Sequence, residues 1–265
     1  MFKEVLSMKP AIHIETYGEG SVTFVICCGL SQTTANWRTF VKNHQQYRWI
    51  LFDPRGQGRS TMGERPYLLE DHVSDLLSVL TLEEIEKAIL IGFSHGGRVA
   101  LHFAASYPEM VEQLILVSTA AHTPALRKVL LRSWYELLQI GGVPAMAWGA
   151  LPSIVGPKIL ADFKNNPELL VKGMDSRNTK QGLLAMLDGM FSYPEVDEDT
   201  AKIHCPTLIM RGGRDPLLDQ EDDVIFREHL PHCEINVFPD CGHTLALEEP
   251  ERFWLQVQKF IESKQ

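Results

Sequence analysis

Short, nearly continuous apolar runs alternate along the chain with stretches whose apolar residues recur at helical spacing. The runs lie at Ala11–Thr16, Val22–Cys28, Arg48–Asp53, Ala88–Phe93, Gln113–Ser118, Thr207–Arg211 and Glu234–Phe238. Several are almost unbroken in Ile, Leu and Val, which predicts strands buried on both faces, as in a parallel sheet. Between them, Leu69, Val73, Leu76, Leu77 and Leu80 share one face of a helix over Leu69–Leu80, and Gly97–Tyr107 and Glu251–Ile261 also read as helices. Pro108 predicts the end of the second of these. The alternation predicts an α/β fold, with a mostly parallel central sheet flanked by helices.

The rhythm lapses from about His122 to Tyr193. That stretch is rich in Leu, Trp, Met, Gly and Pro, carries no strand pattern, and gives way to a new apolar run at Thr207. It predicts a helical cap, residues 122–196, inserted into a core made of residues 1–121 and 197–265. A chain of 265 residues with 45% hydrophobic content can bury the core that one large α/β domain needs.

Charge and cysteine usage narrow the function classes. A net charge of −9 argues against general nucleic-acid binding, which needs a basic face. No apolar run approaches the roughly 18 residues of a membrane span, and the opening MFKEVLSMKP lacks the apolar centre of a signal peptide. Cys27, Cys28, Cys205, Cys233 and Cys241 are odd in number and irregular in spacing. They read as free thiols in a reducing compartment, so a cytoplasmic location is expected. Neither zinc-ligand spacing nor a dinucleotide fingerprint is present, and no metal or organic cofactor is expected.

The chemistry concentrates in three places. In AILIGFSHGGRVALHF an apolar strand runs into Gly92-Phe93-Ser94-His95-Gly96-Gly97, and a helix follows. This is G-x-S-x-G in the setting that its mechanics require, a sharp strand-to-helix turn that lifts the serine hydroxyl above the sheet. Glycine at Gly92 and Gly96 is expected because side chains there would collide with the serine. A serine hydroxyl needs a base, and the base needs an orienting carboxylate. The run PTLIMRG ends in Gly212-Gly213-Arg214-Asp215, and EINVFP leads to Asp240-Cys241-Gly242-His243. Asp215 and His243 therefore leave the same sheet edge as Ser94, where sites in open α/β sheets gather. Asp219, Asp222 and Asp223 are rival carboxylates, but their spacing suits an exposed helix start.

On the segments LFDPRGQGRS (Leu51–Ser60), IGFSHGG (Ile91–Gly97), PTLIMRGGRDPLL (Pro206–Leu218) and GHTLALEEPERF (Gly242–Phe253), the chain resembles the α/β-hydrolase superfamily over nearly its whole length. The resemblance implies Ser94 as nucleophile, Asp215 as acid and His243 as base. It also implies oxyanion donors at the backbone N–H groups of Leu30 and His95, with the His95 side chain incidental. Relatives often carry His-Gly where this chain has Cys28-Gly29, so a hydrogen-bonding support of that loop is missing. The Asp53–Ser60 loop reads as a structural turn.

The capped branch, with carboxylesterases, lactonases and carbon–carbon bond hydrolases, is the most similar. It implies attack of Ser94 on an ester carbonyl through an acyl-enzyme. Trp37, Trp134, Trp148 and Met186 are candidate substrate contacts. From Ala121 to Val196 eight basic side chains face six acidic ones, in a chain that is acidic as a whole. Such a cap suits a carboxylate-bearing ester or lactone, or an acidic acyl carrier protein as in pimeloyl-carrier-protein methyl ester esterases. Enol-lactonase or carbon–carbon hydrolase chemistry with the same triad is an alternative. A slow or non-catalytic receptor on this fold is another.

Overall fold

The computed structural model describes residues 10–196, 200 and 202–264. The amino-terminal stretch read above for a leader, and the expected junction of cap and core at 197, lie outside them. The elements run in the order β1 (Ile14–Tyr17), β2 (Thr23–Cys27), α1 (Thr34–Lys42), β3 (Arg48–Phe52), α2 (Leu69–Leu82), β4 (Ala88–Phe93), α3 (His95–Ser106) and β5 (Val111–Val117). Four helices follow: α4 (Ala125–Ile154), α5 (Pro157–Asp162), α6 (Glu168–Asp175) and α7 (Lys180–Met190). The chain closes with β6 (Thr207–Gly212), α8 (Gln220–His229), β7 (Cys233–Phe238), α9 (Leu245–Glu248) and α10 (Pro250–Ser263).

The seven strands form one sheet in the order β1-β3-β2-β4-β5-β6-β7, parallel except for β1 against β3. β1 begins three residues later than its apolar run. The amides of Ala11 and His13 bond instead to the hydroxyls of Thr61 and Ser60, which keeps them out of the ladder. Alternate strand residues feed two cores, as period-2 geometry requires. Val25, Ile50, Leu90 and Leu116 face the cluster with α2 and α3, while Phe24, Trp49, Ile91 and Val117 face α1 and α10.

The insertion between β5 and β6 is helical, as the lapse in rhythm predicts. Its own apolar cluster joins Leu131, Trp134, Leu138 and Met146 of α4 to Val171 and Met174 of α6 and Leu183 of α7. Contrary to the sequence expectation, α4 is long and apolar enough to cross a membrane by length and composition. Its buried face is spent inside this cluster, and Gly142, at φ 69° and ψ −164°, kinks it.

The Asp53–Ser60 loop is held by a web of buried polar contacts. Asp53 accepts from the amides of Thr34 (2.7 Å) and Arg59 (2.8 Å). Arg55 and Asp75 form a bidentate pair at 2.7 and 2.8 Å, each under a tenth exposed, and Asp71 flanks the guanidinium. Removing Asp75 leaves the buried Arg55 guanidinium with only the more exposed Asp71 as its acidic partner among the described residues. Asp75→Ala should therefore cost about 3–5 kcal/mol of stability, read as a lowered urea midpoint, whereas replacing Arg55 and Asp75 together by Leu should recover most of the loss.

Candidate active site

The register of the parallel strands brings their carboxyl ends level: Cys27 pairs with Gly92, Phe93 with Val117, Val117 with Met210 and Gly212 with Phe238. The loops that follow carry Leu30, Ser94, Asp215 and His243 to one edge. Beneath the helical insertion lies a cavity of about 230 Å³ that Ser94, Leu30, His95 and His243 all line.

Ser94 sits at φ 51°, ψ −114°, a conformation that L-residues rarely adopt, with its amide bonded to the Val117 carbonyl at 2.8 Å. The glycines flanking it are required for a reason other than the expected one. A Cβ on Gly96 would overlap the Cys27 and Cys28 carbonyls, and one on Gly92 would strike Gly96 and Gly97. The collision is with the end of β2 and the facing turn, not with the serine.

Asp215 is 5% exposed, and its Oδ2 lies 2.6 Å from His243 Nδ1. Its other oxygen accepts from the Leu217 amide at 2.9 Å, which fixes the carboxylate plane. The His243 loop is anchored from below by Glu248, itself buried, whose Oε1 accepts from the Gly242 amide at 2.9 Å and the Thr244 hydroxyl at 3.2 Å. The rival carboxylates are engaged elsewhere. Asp223 pairs with Arg211. Asp219 caps α8. Asp222, read as part of an exposed helix start, is 1% exposed and instead binds the Ala121 amide and faces Arg127.

Among the described residues, neither the Leu30 nor the His95 amide finds an acceptor within the protein. The loop carrying Leu30 is braced although Cys28 offers it no hydrogen-bonding side chain of the histidine kind. Gln32 Oε1 accepts from the Gly29 amide at 3.0 Å, and Gln57 Oε1 accepts from the Ser31 amide at 2.5 Å. Gln57 Nε2 donates to the carbonyls of Gly29 and Gln32, and Asn178 from beyond α6 donates to the Ser31 carbonyl at 3.1 Å. Sequence reading treated Gln57 as part of a turn. Its reach across 28 residues to Gly29 leaves no mark in local pattern.

Of the four candidate contacts, Trp37 and Trp134 line the cavity. Trp37 stacks on Phe93 at 4.1 Å, which places it beside the turn at Ser94. Trp148 lies on the outer side of α4, 46% exposed, next to the inward-facing Ala147. Met186 is fully buried with Tyr67 and Ala185 in a cluster that Leu30 packs against from behind. Neither reaches the cavity, because on a helix one residue's step turns a side chain through about 100°.

Further side chains complete the wall. Met146, Leu151 and Met174 make most of it apolar, and three guanidinium groups, those of Arg98, Arg127 and Arg177, border it. Arg98 donates to the carbonyls of Ala120 and Ala121, and Arg127 to that of Leu217, so both tie the first cap hinge to the core. The Arg177 side chain makes no such tie among the described residues: its Nε is buried without a partner, and burial lowers its pKa. The His122, Asp219 and Glu221 ligand atoms lie within 4.8 Å of one another, but Asp219 Oδ1 already accepts from His122 and from the amides of Glu221 and Asp222. That oxygen is committed to the helix cap, which makes the group a poor metal site.

Residues 21–250 match the model of the Hydrolase_4 family, described as serine aminopeptidase, S33. The chain belongs to this α/β-hydrolase family. It is 28% identical over 258 residues to the "Putative 2-succinyl-6-hydroxy-2,4-cyclohexadiene-1-carboxylate synthase" of Bacillus subtilis, covering 93% of each chain. It is 27% identical to the pimeloyl-[acyl-carrier protein] methyl ester esterase of Vibrio campbellii, covering 96% of this chain and 99% of that one. Among solved structures, the α/β hydrolase MGS-M2 from a Medee basin deep-sea metagenome library superposes with a TM-score of 0.87 at 27% identity, over 95% and 94% of the two chains.

Two predictions come from this α/β-hydrolase site. Gln57→Ala removes the brace of the loop that presents the Leu30 amide. One oxyanion donor is worth about 10²–10³ in kcat, so a loosened one should lower kcat about 10-fold or more while KM for a short ester changes little. The second concerns pH. Burial, with the nearby Arg98 charge, pulls His95 down to about 4, and burial, with His95 and Arg55, takes His72 well below its usual range. Both rings titrate near 6.5 in the unfolded chain, which therefore takes up protons first as pH falls. Their contribution to stability is complete above pH ~6.5 and declines below it by about 1.4 kcal/mol per pH unit for each ring. Urea unfolding between pH 7.5 and 5 should show that decline, and His72→Phe should remove about half of the share owed to these rings.

Proposed function

We propose that this hydrolase cleaves a carboxylic ester or lactone through an acyl-enzyme, with Ser94 as nucleophile, His243 as base and Asp215 orienting the imidazole. The observation that carries the reading is the 2.6 Å contact between His243 Nδ1 and the buried Asp215 carboxylate, with His243 and Ser94 on the wall of one cavity. Asp215 holds His243 in the tautomer whose Nε2 is free to accept the Ser94 proton. Ser94 Oγ attacks the carbonyl carbon, and the oxygen that becomes negative is met by the Leu30 and His95 amides. Protonated His243 then gives its proton to the leaving alcohol. Water, deprotonated by the same imidazole, releases the acid and restores the serine.

The substrate class follows from the walls. An apolar chamber closed by Trp134 and Met146 suits a hydrocarbon acyl part, and the Arg177 guanidinium, whose buried Nε has no partner among the described residues, suits a carboxylate on it. A half-ester of a dicarboxylic acid, or a lactone bearing a carboxylate, meets both conditions. The exposed Lys128, Lys164 and Lys172 of the cap would favour the same ester carried on an acidic protein.

A second reading is favoured by the number of guanidinium groups. Three of them border the cavity, and the product named for the Bacillus subtilis relative carries a succinyl and a ring carboxylate. In that reading Ser94 and His243 take a proton from a carbon of a dicarboxylate, the electron pair left behind expels a leaving group from the same molecule, and that group carries the proton away, with no acylation.

The test is steady-state turnover of p-nitrophenyl esters from acetate to decanoate, alongside p-nitrophenyl half-esters of dicarboxylic acids, by wild type, Ser94→Ala and Arg177→Met. Loss of the serine should cost on the order of 10⁶ in kcat. Arg177→Met should lower kcat/KM for the half-esters about 10- to 100-fold, the worth of a hydrogen bond to a charged group, and leave neutral esters within a few-fold. Serine-independent turnover would overturn the triad reading, and an equal loss on both ester classes would overturn the carboxylate reading. A stable protein without ester turnover would favour the proton-removal or receptor alternatives.

A further inference from the structure

The His95 side chain has no place in the acyl-transfer scheme, which uses only its amide. It is nevertheless 3% exposed and directly behind Ser94. Its Nε2 lies 2.9 Å from the hydroxyl of Tyr193, 98 residues away at the end of the helical insertion, and the two rings stack obliquely at 5.6 Å. Tyr193 also lines the cavity. The chain beside it is tied down again, since the Pro194 carbonyl accepts from Arg98 and the Val196 amide bonds to the Ala121 carbonyl at 2.8 Å. On its far side the His95 ring meets His72 edge-on at 4.7 Å, in a small space shared with Cys28 and Asp75.

We propose that the His95 side chain is a positioning residue: through its bond to the core-anchored Tyr193 it holds the His95 amide in the oxyanion hole. The inference rests on the reading of Ser94 as nucleophile. His95 is the first residue of α3, so its amide has no partner within the helix; the carbonyl end of that peptide, at Ser94, accepts from the Gly97 and Arg98 amides, and the His95 ring adds a hold on its other end. Burial keeps the ring neutral, so Nε2 and the tyrosine hydroxyl share one hydrogen bond over the working pH range.

The test is the rate at which a fluorophosphonate phosphonylates Ser94, because that reaction builds negative charge on an oxygen in the same hole and needs no knowledge of the natural substrate. Wild type, Tyr193→Phe, His95→Phe and the double variant are compared, with melting temperatures and KM for a short p-nitrophenyl ester measured beside them. Tyr193→Phe should slow labelling about 10-fold, lower kcat by the same factor, and leave KM and melting temperature nearly unchanged. The double variant should be no slower than His95→Phe alone, since the two side chains act through one bond. An unchanged labelling rate in Tyr193→Phe, or a change in KM alone, would overturn the positioning role. Wild type that is not labelled at Ser94 would overturn the nucleophile reading and this inference with it.

Discussion

The tightest constraint in the molecule is the contact between the turn at Ser94 and the end of β2. The Gly96 backbone lies against the Cys27 and Cys28 carbonyls so closely that no Cβ fits between them. Only that approach lets the chain pass from β4 into α3 while Ser94 stands at a positive φ with its side chain at the cavity. It also brings the first amides of α3 beside the loop that begins at Gly29, so both expected oxyanion donors belong to one rigid contact. The buried runs of β2 and β4, paired residue for residue, keep the two backbones at this spacing. The site is therefore an outcome of sheet register before it is one of side chains.

Polar groups then fasten loops to this frame. Arg55 and Asp75 hold the Asp53–Ser60 loop, Gln57 of that loop holds the Leu30 turn, and Asn178 holds it from the cap side. Each contact is buried enough that its loss leaves a donor or acceptor unmet, so the network is cooperative. The same logic fastens the cap hinges, through Asp222 and Arg127 at the entry and Arg98 and Tyr193 at the exit. At the cavity wall, the buried Nε of Arg177 is left without a partner among the described residues.

Substrate choice sits where rigid and adaptable parts meet. The core side of the cavity, with Trp37 stacked on Phe93, is fixed by the sheet. The cap side is built from methionines and leucines on helices kinked at Gly142, a softer wall that can repack around different acyl groups.

The sequence by itself determined the strand order in the chain, the helical character of 125–190, and the placement of Ser94, Asp215 and His243 at one end of parallel strands. Those features are local: apolar runs, a glycine-flanked serine, and polar residues just past strand ends are written in consecutive positions. Only the tertiary structure decided that Trp134 faces the cavity while Trp148 faces outward and Met186 packs behind Leu30. It alone decided that Asp222 is buried, that Gln57 supports Gly29, and that His95 reaches Tyr193. The reason is physical. A helix of uniformly apolar composition does not say which of its faces turns inward, and a hydrogen bond across 28 or 98 residues depends on how far the intervening chain has been folded back.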